Sequence, residues 1–155
     1  MTTTIADLID TQLVTTDLAA TDRDGAIAEL TALLAADGRV TDPDTYVKAV
    51  LAREEETGGT GMESGIAIPH AKSPAVTRAA VAFGRSGSGL DFGAEDGTPA
   101  DLVFLIAAPE GADDLHVRVL SRLARRLIHS AFRTALREAD SSAAVVDVIH
   151  REVEL

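Results

Sequence analysis

The 155-residue sequence contains no cysteine, and this absence removes three kinds of chemistry at once. Without thiols the chain has no disulfide bond, no thiolate metal site and no cysteine nucleophile. It also lacks tryptophan and has only 3% aromatic residues. A stacking platform for nucleic-acid bases is difficult to build from so few rings. The core must therefore rest on aliphatic side chains, in a chain that is 46% hydrophobic.

Positive charge is scarce as well. The chain has 14 basic and 25 acidic residues, for a net charge of −11. This balance argues against a nucleic-acid partner, because phosphates attract basic surfaces. No apolar run approaches the length of a membrane span, and the N-terminal residues show no secretory signal. We expect a cytoplasmic protein that is not itself inserted into a membrane.

Periodic apolar residues and capping residues predict the helices. The first helix follows a cap at Thr21 or Asp22 and ends before Gly38. The second follows a cap at Thr41 or Asp42, has Pro43 in its first turn and carries Arg53 near its end. A third begins at Asp113 or Asp114 and buries Leu120, Leu123 and Leu127, and two shorter helices, introduced by serine or aspartate, complete the chain.

The strongest predicted strand is "DLVFLIAAP", residues 101–109, whose continuous apolar run indicates burial on both faces. Weaker strands are expected at 12–18, 66–68 and 79–85, with a flexible glycine-rich loop at 58–61 and a surface excursion at 86–100. Paired helices and consecutive strands argue against strict βα alternation. The fold class predicted is α/β, with a mixed central sheet sandwiched by helices in one domain, residues 1–155.

Four histidines are the candidates for chemistry. We interpret His129 and His150 as structural. His70 is expected in a loop directly after the short strand 66–68, where Pro69 biases the chain toward an extended conformation. His116 is expected in the first turn of the third helix, where the helix N-terminus favours anions and a neutral imidazole.

Two histidines at the ends of strands are compatible with three kinds of site. They could bind a metal ion together with Asp or Glu, although closely spaced pairs such as H-x-x-x-H are absent. They could act as general acid and base. One could attack as a nucleophile while the other stabilises charge, which suits phosphoryl transfer. The glycine-rich stretch "GGTGMESG" lacks the G-K-[ST] ending of a phosphate-binding P-loop.

The run "SGIAIPHAKSPAV", residues 64–76, resembles the phosphorylation-site motif of the mannitol/fructose-type enzyme IIA of the bacterial phosphoenolpyruvate-dependent sugar phosphotransferase system. "LAREEETGGTGM" and the segment 81–127 resemble further parts of that family, so that the likeness spans about residues 5 to 149. "GRSGSGLDF" and "FLIAAPEGA" look more like the fructose branch than the mannitol branch.

This resemblance implies a role for three residues. His70 would be the phosphorylated nucleophile, His116 would stabilise the transferring phosphoryl group, and Arg53 would supply positive charge. Mannitol-type members have an acidic residue six positions before the active histidine; here that position is Ser64, and Glu63 lies one further back. We interpret the run 54–56 of three glutamates as a solvated helix end.

The resemblance also implies partners. His70 would accept the phosphoryl group from HPr, or an HPr-like phosphocarrier, and pass it to a cysteine of enzyme IIB, which works with a membrane permease. Ile66, Ile68 and the residues around 58–61 would form an apolar rim for docking. No metal ion or organic cofactor is needed for the step. The alternative within the family is a nitrogen-related regulatory enzyme IIA, which acts by phosphorylation-dependent protein binding.

Overall fold

A computed structural model describes residues 4–111 and 115–154, with the side chains of residues 115 and 116 excluded. Within these residues, six α-helices and six strands follow in the order α-β-α-α-β-β-β-β-β-α-α-α. The helices are α1 (Ile5–Leu8), α2 (Arg23–Ala36), α3 (Pro43–Thr57), α4 (Leu115–Leu127), α5 (Ser130–Glu138) and α6 (Ser142–Glu152). The strands are β1 (Val14–Thr15), β2 (Gly61–Met62), β3 (Ile66–Ala67), β4 (His70–Ser73), β5 (Ala80–Leu90) and β6 (Ala100–Pro109).

Strand β6 is the centre of a mixed sheet in the order β1-β5-β6-β3-β2, with β4 also paired to β6. β5 runs antiparallel to β6, whereas β3 and β4 run parallel to it. Every residue from Leu102 to Ala108 is buried. The predicted α/β class with a mixed sheet between helices is therefore confirmed, and the buried apolar run of β6 explains why this strand takes the central place.

Strands β3 and β4 are two parts of one line along the edge of β6. Ile66 pairs with Leu102 and His70 pairs with Ile106, so the register does not change across the break. Pro69 lies in the break and has no N–H to donate, while its carbonyl oxygen still accepts a bond from the Ile106 N–H at 3.0 Å. The proline therefore interrupts the strand without shifting it.

The predicted helix starts are largely confirmed. Asp22 accepts a hydrogen bond from the Gly25 N–H at 2.7 Å, and Asp42 accepts one from the Thr45 N–H at 3.2 Å. Ser141 does the same for the Ala144 N–H at the start of α6. The predicted caps of α4, Asp113 and Asp114, lie outside the described residues. The caps at Asp22, Asp42 and Ser141 satisfy backbone donors that the first turn of a helix leaves free.

Several predicted boundaries are wrong. The expected first strand, 12–18, is reduced to β1 after a short 3₁₀ turn, Thr11–Leu13. Part of the loop at 58–61 pairs as β2 with β3. The surface excursion at 86–100 begins as strand, because β5 continues to Leu90, which pairs with Ala100 after an irregularity in the register. Pairing with a long neighbour has overridden the turn-forming composition of this stretch. Within the described residues, the helices are too short or too polar to cross a bilayer.

Candidate functional site

His70 is the first residue of β4 and not, as predicted, a loop residue beyond the end of a strand. Its side chain is half-buried. The ring nitrogen Nδ1 lies 2.8 Å from the carbonyl oxygen of Ile68. A carbonyl oxygen can only accept, so Nδ1 must carry the proton and donate. In the neutral ring the lone pair is then on Nε2, which is the nitrogen left for chemistry.

The imidazole faces a surface cavity of about 290 Å³ between α3 and β4. From α3 the cavity is lined by Ala49, Ala52 and Arg53, and from β4 by His70, Ala71 and Lys72. The alanines leave room beside the ring, and the two cations make the cavity attractive to an anion. Such an arrangement is suited to holding a phosphoryl group next to a nucleophilic nitrogen.

Lys72 is a site residue that the sequence reasoning missed. It is exposed, whereas Ala71 and Ser73 on either side of it are buried. Side chains two residues apart in a strand point to the same face, so Lys72 lies on the face of His70. The alternation of apolar and polar residues over 70–73 carries this signal, but it is visible only once these residues are read as a strand.

Arg53, the arginine singled out in the sequence, lines this cavity. Its side chain is 52% exposed and its Nη1 is 3.6 Å from a carboxylate oxygen of Glu56, which is 66% exposed. Exposed pairs of this kind contribute little free energy. The guanidinium is therefore free to exchange this partner for an anion in the cavity.

Glu54 contradicts the interpretation of the three glutamates as a solvated helix end. Glu55 and Glu56 are exposed, but Glu54 is only 1% exposed. Its Oε1 accepts a hydrogen bond from the Thr60 hydroxyl at 3.1 Å. Burial raises the pKa of this carboxyl, opposed by the hydrogen bonds of Thr60 and by the charges of Arg23 and His70. The residue directly after Arg53 is thus part of the protein interior.

The turn before β3 is anchored by hydrogen bonds to its backbone carbonyl oxygens. Ser64 and Gly65 both have positive φ, 71° and 82°. The Gly65 carbonyl accepts bonds from the N–H groups of Asp101 and Leu102. Arg137 of α5 binds the Asp101 carboxylate at 2.7 and 2.8 Å and also donates to the Ser64 carbonyl. Ser64 therefore contributes its carbonyl to the anchoring of the turn.

Other predicted residues fall elsewhere. Glu63 is exposed and lines two cavities other than the one that contains His70. Ile66 and Ile68 are 2% and 6% exposed, so the predicted apolar docking rim is wrong at these two positions. Both belong to the core: Ile66 lies in β3, which pairs with β6, and Ile68 lies in the break between β3 and β4.

The remaining histidines are described only in part. His116 is the second residue of α4, and its side chain is outside the described part of the structure. Nε2 of His150 lies 3.0 Å from the Ile9 carbonyl oxygen, which is a structural contact between α6 and the N-terminal segment. His129 is the residue before α5 and makes no side-chain capping bond there.

A mixed sheet between helices thus presents His70 at a cavity that is also lined by two cations, Arg53 and Lys72. Residues 7–152 match the family described as "Phosphoenolpyruvate-dependent sugar phosphotransferase system, EIIA 2". This match covers nearly the whole chain, and the chain belongs to that family. The resemblance seen in the residues around His70 is thereby confirmed.

Two relatives carry fructose in their names. The chain is 41% identical over 152 residues to the "PTS system fructose-specific EIIA component" of Haloferax volcanii, covering 98% of each chain. It is 40% identical over 147 residues to the "PTS system fructose-specific EIIABC component" of Bacillus subtilis. That alignment covers 95% of this chain but only 23% of the Bacillus protein.

Two solved structures share the fold. The nitrogen regulatory protein IIA-Ntr of Neisseria meningitidis superposes with a TM-score of 0.85 at 28% identity, covering 94% of this chain and 98% of that one. Enzyme IIA mannitol of Escherichia coli, in a complex with phosphorylated enzyme IIB mannitol, gives a TM-score of 0.76 at 26% identity, covering 91% and 96%.

Proposed function

We propose that this chain is a phosphoryl carrier of the sugar phosphotransferase system. His70 accepts a phosphoryl group from the histidine of HPr, or of an HPr-like domain, and passes it to a cysteine of enzyme IIB for uptake of fructose or a related sugar. The relatives named for fructose support this sugar class, and the complex of the mannitol relatives supports enzyme IIB as the partner. The step takes place in the cytoplasm, beside a membrane permease.

One observation carries the proposal: the Nδ1–H of His70 is occupied by the Ile68 carbonyl, which leaves Nε2 toward the reaction. Nε2 attacks phosphorus in line with the bond to the donor imidazole. The new Nε2–P bond forms as the donor N–P bond breaks. The donor ring keeps the proton on its other nitrogen and leaves neutral, and His70 keeps its Nδ1 proton. Protons therefore balance without a separate general base.

In the second step His70 is the leaving group. A thiolate of enzyme IIB attacks phosphorus, the S–P bond forms, and neutral His70 leaves. Arg53 and Lys72 neutralise the phosphoryl oxygens during both steps, since both line the cavity. His116 begins α4 and is proposed to stabilise the transferring group there.

The proposal is tested by incubating the protein with phosphoenolpyruvate, enzyme I and HPr, and then adding a fructose-type enzyme IIB. We expect an acid-labile phosphate on the wild-type protein, none on His70→Ala, and loss of the label to enzyme IIB. Label that remains in full on His70→Ala would contradict the assignment.

A regulatory function is the second candidate, favoured by the high structural similarity to the nitrogen regulatory protein IIA-Ntr. A regulatory protein would accept the label but retain it in the presence of enzyme IIB. The same experiment therefore separates a carrier from a regulator, because only the second half of the transfer differs.

A further inference from the structure

We propose that Glu54 is a positioning residue for His70, which it reaches through Thr60 and Ile68. The inference rests on the proposed function of His70 as the phosphoryl acceptor, and it goes beyond that function by assigning a task to a buried carboxyl that the transfer step does not use.

Three hydrogen bonds connect the two side chains. The Thr60 hydroxyl donates to Glu54 Oε1 at 3.1 Å. The Ile68 N–H donates to the Thr60 carbonyl at 3.4 Å. Nδ1–H of His70 donates to the Ile68 carbonyl at 2.8 Å. Ile68 thus donates its N–H to Thr60 and accepts the imidazole proton of His70 on its carbonyl oxygen. The position of Thr60 therefore fixes the acceptor of that proton.

Thr60 lies between two glycines that press against another part of the chain. A Cβ on Gly59 would lie 2.1 Å from the Phe92 carbonyl oxygen, at a backbone φ of +114°. The Gly61 N–H donates to the same oxygen at 2.9 Å. These contacts hold the backbone on both sides of Thr60. The hydroxyl bond to Glu54 adds the remaining tie, to helix α3.

A glutamate at position 54 lowers the stability of the folded state relative to an apolar residue. Its carboxyl is withdrawn from water, and within the described residues its Oε2 has no hydrogen-bond partner. It also lies in the last turns of α3, where the helix dipole disfavours negative charge. An apolar side chain of the same size would avoid these costs. This carboxyl destabilises the fold, yet it is bonded to the segment that leads to His70. Both facts fit a role in orienting the His70 ring.

The experiment compares Glu54→Met, which keeps the volume but removes the acceptor, with Glu54→Gln, which keeps the acceptor. Glu55→Gln, an exposed neighbour, is the matched control. Nitrogen-15 NMR of the unphosphorylated protein, at roughly pH 8.5 where histidine is ordinarily neutral, reports the tautomer of His70. Initial rates of phosphoryl acceptance from phosphorylated HPr are measured in parallel.

We expect wild type, Glu54→Gln and Glu55→Gln to hold the proton on Nδ1 and to accept phosphate at similar rates. In Glu54→Met, part of the population shifts its proton to Nε2 and the rate falls about tenfold, in line with loss of one hydrogen bond in a connected set. If the methionine variant does not fold, Thr60→Val removes the donor instead and Thr60→Ser restores it.

The inference is overturned if folded Glu54→Met and Thr60→Val keep both the wild-type tautomer and the wild-type rate. It is also overturned if Glu54→Gln is as impaired as Glu54→Met, because charge rather than the acceptor would then be the cause. Failure of the proposed function looks different: the wild-type protein itself would take no phosphate, while the tautomer would still report whether Glu54 orients the ring.

Discussion

The carbonyl oxygen of Ile68 accepts a hydrogen bond of 2.8 Å from Nδ1 of His70, two residues further along the chain. Pro69 lies between them and favours an extended Ile68, while its missing N–H interrupts the strand at this point. The half-buried imidazole therefore has its Nδ1–H tied to its own backbone, and the lone pair of the neutral ring is on Nε2. The proposed chemistry depends on this arrangement.

Arg53 should contribute to the rate of phosphoryl acceptance and little to the free energy of unfolding. Replacing it with glutamine removes a cation from the cavity while its exposed contact with Glu56 contributes little. We expect Arg53→Gln to lower the rate of phosphoryl acceptance by roughly 100-fold, the lower end of the range for loss of one electrostatic contact to a transition state. Rapid-quench measurement of the label on His70 provides the rate.

The matched control is Arg151→Gln, since Arg151 is exposed and lines a different cavity. An equal loss of rate in both variants would show a general effect of net charge on association with the donor. Arg53 would then have no special part in the transfer.

His116 should affect the release of the phosphoryl group more than its uptake. We expect His116→Ala to accept phosphate from HPr but to pass it to enzyme IIB more slowly, because the ring is proposed to stabilise the transferring group. The two half-reactions are measured separately by following the label. Onward transfer at the wild-type rate would remove His116 from the site.

Gly65 should be intolerant of a side chain. Its φ is +82°, and a Cβ there would lie 2.5 Å from Asp101 Oδ1 and 2.7 Å from Arg137 Nη2. We expect Gly65→Ala to lower the free energy of unfolding by about 2 kcal/mol or more, measured by urea denaturation. Gly87→Ala is the control, because among the described residues no atom outside its chain neighbours lies within 4 Å of its added Cβ. That variant should stay within about 0.5 kcal/mol of wild type, and equal losses would contradict the clash.

Glu54 should make stability depend on pH. Burial raises the pKa of its carboxyl above the ordinary value of 4.5. The folded state then binds this proton more tightly than the unfolded state, and the associated stability is present below the ordinary pKa and lost as pH rises through the raised one. The free energy of unfolding of wild type should therefore fall relative to Glu54→Gln as pH rises above 4.5. Urea denaturation of both proteins over a series of pH values tests this, and a constant difference would contradict it.

The features that the sequence predicted well are those with local causes. Asp22 and Asp42 cap helices because their carboxylates reach the N–H groups three residues ahead. The buried strand β6 is a continuous apolar run. The family could be predicted because the residues around His70 form a specific motif.

The features that the sequence did not predict depend on distant parts of the chain. Leu90 extends β5 because Ala100 pairs with it, against the turn-forming character of the intervening glycines. Glu54 is buried although it begins a run of three glutamates, since Thr60 folds back to bind it. Lys72 lies on the same face as His70 because residues 70–73 form a strand that pairs with β6. The sequence did not predict this strand, since Pro69 directly before it indicated a strand end.

The most direct test of the central claim is to determine which atom carries the phosphate. The protein is phosphorylated through HPr, and nitrogen-15 and phosphorus-31 NMR of the labelled histidine then distinguish the two ring nitrogens. Our account predicts phosphorus on Nε2 of His70, with the Nδ1 proton still donated to the Ile68 carbonyl. Phosphorus on Nδ1, or on another histidine, would contradict it.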